Sequence, residues 1–258
     1  MGNMQGDFIW YELLTPDPAA AATFYGAVLG WTSRDAGGPT PGYRLFSTAE
    51  TEVAGFMAMP PDAAGAGMPP QWLGYIAVED VDASVRSILE AGGTQLMPPT
   101  DIAGIGRFAL LTDPQGAPFY VMRGATDEES SSFAPEKTGH CRWNELSTSD
   151  QPAALAFYAR VFGWEQGSAM PMGDLGEYRF ISHRGVTLGA VMTTPPGGPR
   201  PGWGFFFGVA DIDRAAEAIR SGGGEVHFGP NEVPGNLFII IATDPQGAPF
   251  RVVGPRTA

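Results

Sequence analysis

Thr112-Asp-Pro-Gln-Gly-Ala-Pro-Phe119 occurs twice in the chain, returning letter for letter as Thr243-Asp-Pro-Gln-Gly-Ala-Pro-Phe250. Pro fixes φ at the second position of a tight turn and Gly tolerates a positive φ further along, so Asp-Pro-Gln-Gly is turn chemistry. Strand-like runs flank both copies: Phe108-Ala-Leu-Leu111 and Phe119-Tyr-Val-Met122, then Phe238-Ile-Ile-Ile241 and Phe250-Arg-Val-Val253. Each copy predicts a hairpin. Eight identical residues in a row mark an internal duplication, and other landmarks keep nearly the same spacing. Trp10-Tyr-Glu-Leu13 returns as Trp143-Asn-Glu-Leu146, and Phe24-Tyr25…Leu29-Gly-Trp31 as Phe157-Tyr158…Phe162-Gly-Trp164. Trp72…Val78-Glu-Asp80 returns as Trp203…Val209-Ala-Asp211.

Upstream of the first copy the pattern subdivides again. Phe8–Leu14 alternates as a strand. Asp17 then caps a helix with Pro18 at its first position, and Gly30 stops it. Short strands follow near Trp31–Ser33, Tyr43–Ser47 and Val53–Ala58. Pro60 to Pro70, rich in Pro, Gly and Ala, is a connection. The order then repeats: a strand at Trp72–Val78 and a helix from Asp80 with Val81, Val85, Ile88 and Leu89 at helical spacing. Gly92-Gly93 is its stop, and strands follow near Thr94–Met97, Arg107–Leu111 and Phe119–Met122. The expectation is an α+β chain of four βαβββ modules, two per half. Domains are expected at residues 1–123 and 140–258, with the acidic stretch 124–139 as a solvated linker. Modules one with two and three with four are the expected pairs; one with four and two with three is the alternative.

Composition narrows the function. At 258 residues with 43% hydrophobic and 17% charged side chains, the chain is globular and core-forming. A net charge of −13 speaks against nucleic acid and anionic membrane surfaces, which want basic patches. The single cysteine, Cys141, allows neither an intrachain disulfide nor a cysteine-rich metal site. Without an apolar run of about 18 residues or a signal-peptide pattern at the N-terminus, a cytoplasmic protein is expected. It would be a monomer or homodimer, with a small molecule as partner.

The chain resembles the vicinal-oxygen-chelate superfamily (glyoxalase, bleomycin resistance protein, extradiol dioxygenase), in particular its duplicated, two-domain hydroxylase type. The carrying residues are Asp17…Phe24-Tyr25…Leu29-Gly30 with Asp113-Pro-Gln-Gly116, and Asp150…Phe157-Tyr158…Phe162-Gly163 with Asp244-Pro-Gln-Gly247. The resemblance implies paired glyoxalase-like modules whose curled, mostly antiparallel sheets surround a cavity. It also implies, in enzymes, a divalent metal held by His or Gln of the first strands and Glu of the last. Those first-strand positions fall here on Trp10, Leu73, Trp143 and Gly204. The last-strand positions fall on Tyr120 and Arg251, and near Gly55 and Gly189 in the odd modules. None offers an imidazole or carboxylate, so no metal ligand and no cofactor are expected.

Strand alternation then gives the expected linings. Trp10, Glu12, Leu73, Tyr75, Tyr120 and Met122 belong to the first half; Trp143, Glu145, Gly204, Phe206, Gly208 and Arg251 belong to the second. Gly204 and Gly208 are expected to leave room. Trp10, Tyr75, Tyr120, Trp143, Phe206 and Arg251 are the candidate ligand-binding residues, an aromatic wall with polar fixers. Glu12 and Glu145 are the candidate catalytic carboxylates, each able to act as a general base among aromatic rings. His140, His183 and His227 share no metal-ligand spacing and are expected at the surface or at loop edges. The leading functional expectation is metal-free binding of a small apolar or aromatic molecule. A lyase, isomerase or oxygenase-type detoxification enzyme, with a displaced metal site or a glutamate base, is the alternative.

Overall fold

The computed structural model describes residues 2–61, 65, 67–194 and 197–257, so part of the expected Pro60–Pro70 connection lies outside the described residues. The first module is β1 (Phe8–Thr15), α1 (Pro18–Leu29), β2 (Thr32–Asp35), β3 (Arg44–Ser47) and β4 (Glu52–Ala58). The second is β5 (Gln71–Ala77), α2 (Val81–Glu90), β6 (Thr94–Ile102), β7 (Gly106–Thr112) and β8 (Pro118–Gly124). The third is β9 (Cys141–Thr148), α3 (Gln151–Phe162), β10 (Glu165–Pro171), β11 (Glu177–His183) and β12 (Val186–Thr193). The fourth is β13 (Gly202–Gly208), α4 (Ile212–Ser221), β14 (Glu225–Val233), β15 (Leu237–Thr243) and β16 (Pro249–Gly254).

Each helix begins where the sequence places an N-cap. The side chains of Asp17, Asp80, Asp150 and Asp211 accept from backbone N–H groups of the first turn that would otherwise lack a partner. Gly30 and Gly163 end α1 and α3 at φ 71° and 72°, a left-handed conformation that glycine adopts without a Cβ penalty.

The strands form two eight-stranded sheets, in the orders β2-β3-β4-β1-β5-β8-β7-β6 and β10-β11-β12-β9-β13-β16-β15-β14. Within a module the first and last strands pair in parallel and the other neighbours antiparallel. The sheets are mostly antiparallel and curled, and each keeps two edge strands instead of closing. β6 runs on through Pro98 and Pro99, past the expected end at Met97, because an edge strand tolerates a missing N–H.

The chain forms two compact bodies, each drawing modules from both halves. One comprises Met1–Ile9, Leu73–Ser130 and Trp143–Trp203, and the other Trp10–Trp72, Ser131–Arg142 and Gly204–Ala258. The repeated turn explains why each body holds together. In the second body, Asp244 Oδ1 accepts from the N–H groups of Gln246 and Ala248, which closes its turn. Its Oδ2 accepts from the Tyr25 hydroxyl at 3.0 Å, and that hydroxyl accepts from the Trp72 indole at 2.9 Å. The first body repeats this. Asp113 closes its turn on Gln115 and Ala117, its Oδ2 accepts from Tyr158 at 3.2 Å, and Tyr158 accepts from Trp203 at 3.0 Å. Rings enclose both relays: Tyr158 stacks on Trp164 at 5.0 Å, and Tyr25 meets Trp72 and Phe250 edge-on.

The stretch 124–139, expected to be solvated, is pinned in its second part. Gly139 accepts from the Trp31 indole at 2.8 Å, Phe133 bridges Cys141, and Ser132 is buried. The acidic composition of Asp127-Glu-Glu129 concealed these contacts, because they are made mostly by backbone groups. Two of the three histidines are also inside. His140 Nδ1 lies 2.6 Å from the Ser131 carbonyl, and His183 is buried 3.9 Å from Asp7, while His227 is exposed as expected.

Burial pushes the phenols of Tyr25 and Tyr158 well above the ordinary value of 10.0, and the facing carboxylates Asp244 and Asp113 push further the same way. Above pH 10 the unfolded chain therefore loses two protons that the folded chain keeps. Stability should fall there by about 1.4 kcal/mol per pH unit for each tyrosine. Tyr25→Phe should remove one of these contributions and flatten the alkaline slope of the urea-unfolding free energy. At neutral pH the same variant should cost about 1–3 kcal/mol, because the Trp72 donor and Asp244 Oδ2 lose their partner. An unchanged alkaline slope would show that the phenol does not carry this role.

Candidate functional site

In the first body, β9 and β11 carry Trp143, Glu145, Tyr178 and Phe180 on one face. Residues two apart share a face, and β12 separates the two strands through Ala190, which is in register with both Glu145 and Phe180. The Trp143 indole N–H donates to the Tyr178 hydroxyl at 2.8 Å, and that hydroxyl donates to Glu145 Oε2 at 2.7 Å. Phe180 stands edge-on to both Trp143 and Tyr178, at 5.8 Å each. Glu145 is 7% exposed. This donor chain fixes a buried carboxylate and hands it a hydrogen bond worth about 1.5–3 kcal/mol.

The duplicated set lies in the second body. Trp10 donates to the Tyr43 hydroxyl at 3.0 Å, and Glu12, 4% exposed, is in register with Gly55 on β4. A methyl group at Gly55 would lie 1.9 Å from the Tyr43 hydroxyl, so the phenol occupies the space that the glycine leaves.

The other expected site residues form local pairs. Tyr75 and Tyr120 are register partners on β5 and β8 and stack at 4.2 Å with 17° between their planes. Phe206 and Arg251 are partners on β13 and β16, with the guanidinium 5.3 Å from the ring centre in a cation–π contact. Gly204 and Gly208 do not leave the room expected of them. A Cβ on Gly204 would lie 2.1 Å from Arg251 Cζ, and one on Gly208 would meet Arg142 Cδ at 2.7 Å and the Lys137 carbonyl at 2.8 Å. Both glycines admit other parts of the chain.

Tyr43 and Tyr178 were not among the candidate residues. Their signal was present as a repeat, Tyr43-Arg-Leu-Phe46 against Tyr178-Arg-Phe-Ile181. Each lies on or just before an odd-module strand that carries none of the expected metal positions.

Family models match both halves. Residues 10–122 match the Glyoxalase-like domain, and residues 137–252 match the Glyoxalase/Bleomycin resistance protein/Dioxygenase superfamily. A protein of Mycobacterium bovis named "Putative glyoxylase CFP32" is 36% identical, over 97% of this chain and 95% of that protein. The chain belongs to the glyoxalase/bleomycin resistance protein/dioxygenase superfamily.

This superfamily member is also similar to the anthracycline biosynthesis protein DnrV of Streptomyces peucetius, at 33% identity over 95% of the chain and 91% of that protein. Among solved structures it shares its fold with the Mn(II)-bound glyoxalase of Novosphingobium aromaticivorans. The TM-score is 0.64 at 18% identity, covering 100% of this chain and 84% of that one. Homoprotocatechuate 2,3-dioxygenase of B. fuscum gives a TM-score of 0.68 at 17% identity, covering 99% and 72%.

A divalent metal does not fit the superfamily positions of this chain. The Trp10 and Trp143 indole nitrogens are hydrogen-bond donors, and Arg251 brings a permanent cation to the place of Gly204. Among the described residues no three His, Cys, Asp or Glu side chains group as a ligand set.

Tyr178→Phe keeps the ring and removes both hydrogen bonds of the Trp143–Tyr178–Glu145 chain. It should lower the urea-unfolding free energy by about 1–3 kcal/mol and shift the emission of Trp143, assigned against Trp143→Phe. Stability and emission equal to the parent protein would mean that the relay does not form in solution.

Proposed function

We propose that the chain binds a small, mainly apolar or aromatic organic molecule without a protein-held metal. Trp143, Tyr178 and Glu145 are the recognition group in this reading, and Tyr75 and Tyr120 of the same body are further contact residues. The carrying observation is the tryptophan–tyrosine–glutamate chain, whose Trp143 falls on a first-strand position at which the resemblance implies a metal ligand. Aromatic faces supply area for apolar contact, and a fixed carboxylate accepts from a ligand hydroxyl or N–H. The relatives named for anthracycline biosynthesis support the same ligand class, since anthracyclines are polycyclic aromatic compounds.

One observation favours a second reading. A carboxylate held by a phenol at 2.7 Å is also a positioned general base, and Glu145, with Glu12 as its duplicate, would then remove a proton from a carbon acid. That reading is of the lyase, isomerase or oxygenase kind and suits the relative named as a glyoxylase.

Titration with 1,8-dihydroxyanthraquinone should give saturable quenching of tryptophan emission. The quenching should be weakened by Trp143→Phe and unchanged, within about twofold, after dialysis against a chelator. Absence of saturable quenching, or its loss on chelation together with a stoichiometric metal in elemental analysis, would overturn the proposal. Anthrone in D2O separates the second reading. Faster exchange of its C10 protons, lost in Glu145→Gln while binding persists, would make Glu145 a base; exchange at the solvent rate would leave binding alone.

A further inference from the structure

We infer that the two duplicated tryptophan–tyrosine sets have diverged. The set on β9 and β11 is the ligand-binding one, and Phe180 and Met170 select a flat aromatic ring system. This inference rests on the binding proposal and adds which copy binds and which residues choose.

Three differences between the copies point the same way. The first lies on the strand between the two halves of each set. In the β1–β4 copy the middle position is Gly55, whose missing side chain is replaced by the Tyr43 hydroxyl. In the β9–β12 copy the corresponding residue is Ala190, in register with Glu145 and Phe180 as Gly55 is with Glu12 and Leu45. The alanine methyl occupies that floor. The Tyr178 hydroxyl, bonded to Trp143 as that of Tyr43 is to Trp10, therefore does not fill it.

The second difference is a ring. Leu45 of β3 is replaced in register by Phe180, which stands at 85° to Trp143 and 86° to Tyr178. Two rings perpendicular to a third leave a wall against which a planar guest makes both face and edge contacts, the preferred aromatic geometries.

The third difference is the rim. Met170 of β10 is the register partner of Tyr178 and therefore lies on the same face. It is 36% exposed, and Met172, just beyond the strand, is 38% exposed. In the first copy the residue beside Tyr43 is Ala36, bonded to it through the backbone at 3.0 Å. A polarizable, unbranched side chain at the mouth adapts to ring edges in a way that alanine cannot.

The test is equilibrium titration of 1,8-dihydroxyanthraquinone against the full chain and three variants, with far-UV circular dichroism on each. One site per chain is expected. Phe180→Leu, which restores the first copy's residue, should weaken binding by about tenfold or more. Met170→Ala, at an exposed position that does not threaten folding, should weaken it by about threefold. Leu45→Phe should leave it unchanged. Two equivalent sites per chain, or parent affinity in both Phe180→Leu and Met170→Ala, would overturn this assignment and leave metal-free binding standing. No saturable binding by the parent chain would remove the binding proposal and this inference with it.

Discussion

A carboxylate inside a protein is costly unless every lone pair is used, and each of the two repeated turns buries one. Asp113 and Asp244 each satisfy one oxygen with the backbone of their own turn and the other with a tyrosine hydroxyl from the opposite half of the chain. Burial still pushes the Asp113 carboxyl above its ordinary range. The arrangement endures because removing either partner would leave a charge or an indole N–H stranded among rings. The eight-residue repeat is thus not only a hairpin signature. Its aspartate is the point at which a turn in one half grips a helix in the other.

Much of the fold was legible because the local signals agreed with one another. Asp at the caps, Gly at the stops, alternation in the strands and a duplicated turn each imply the same βαβββ module, and the structure follows them nearly to the residue. Where it departs, the cause lies in contacts that composition does not encode. Prolines persist in β6 because the strand is an edge, and Gly139 is buried because an indole needs its carbonyl. His183 is interior although its sequence surroundings, Ser182 and Arg184, are polar.

The candidate site was legible in part. Trp143 and Glu145 could be placed on one face from alternation alone, and the structure joins them through Tyr178. The tyrosine lies on neither a first nor a last strand, where the resemblance places its metal positions. Glycines misled for a related reason. A missing side chain reads as space, yet at Gly204 and Gly208 the space is claimed by Arg251 and Arg142. Sequence states where a Cβ is absent; only packing states what arrives instead.

The reciprocity of the two buried relays also bears on ancestry. Tyr25 reaches Asp244 while Tyr158 reaches Asp113, so each half lends its aspartate to the other and keeps its own tryptophan and tyrosine. A half-length forebear with one of each could have closed both bonds only by borrowing from a twin molecule. Within one continuous chain the exchange is internal, and both copies of the aspartate, the tyrosine and the tryptophan are kept.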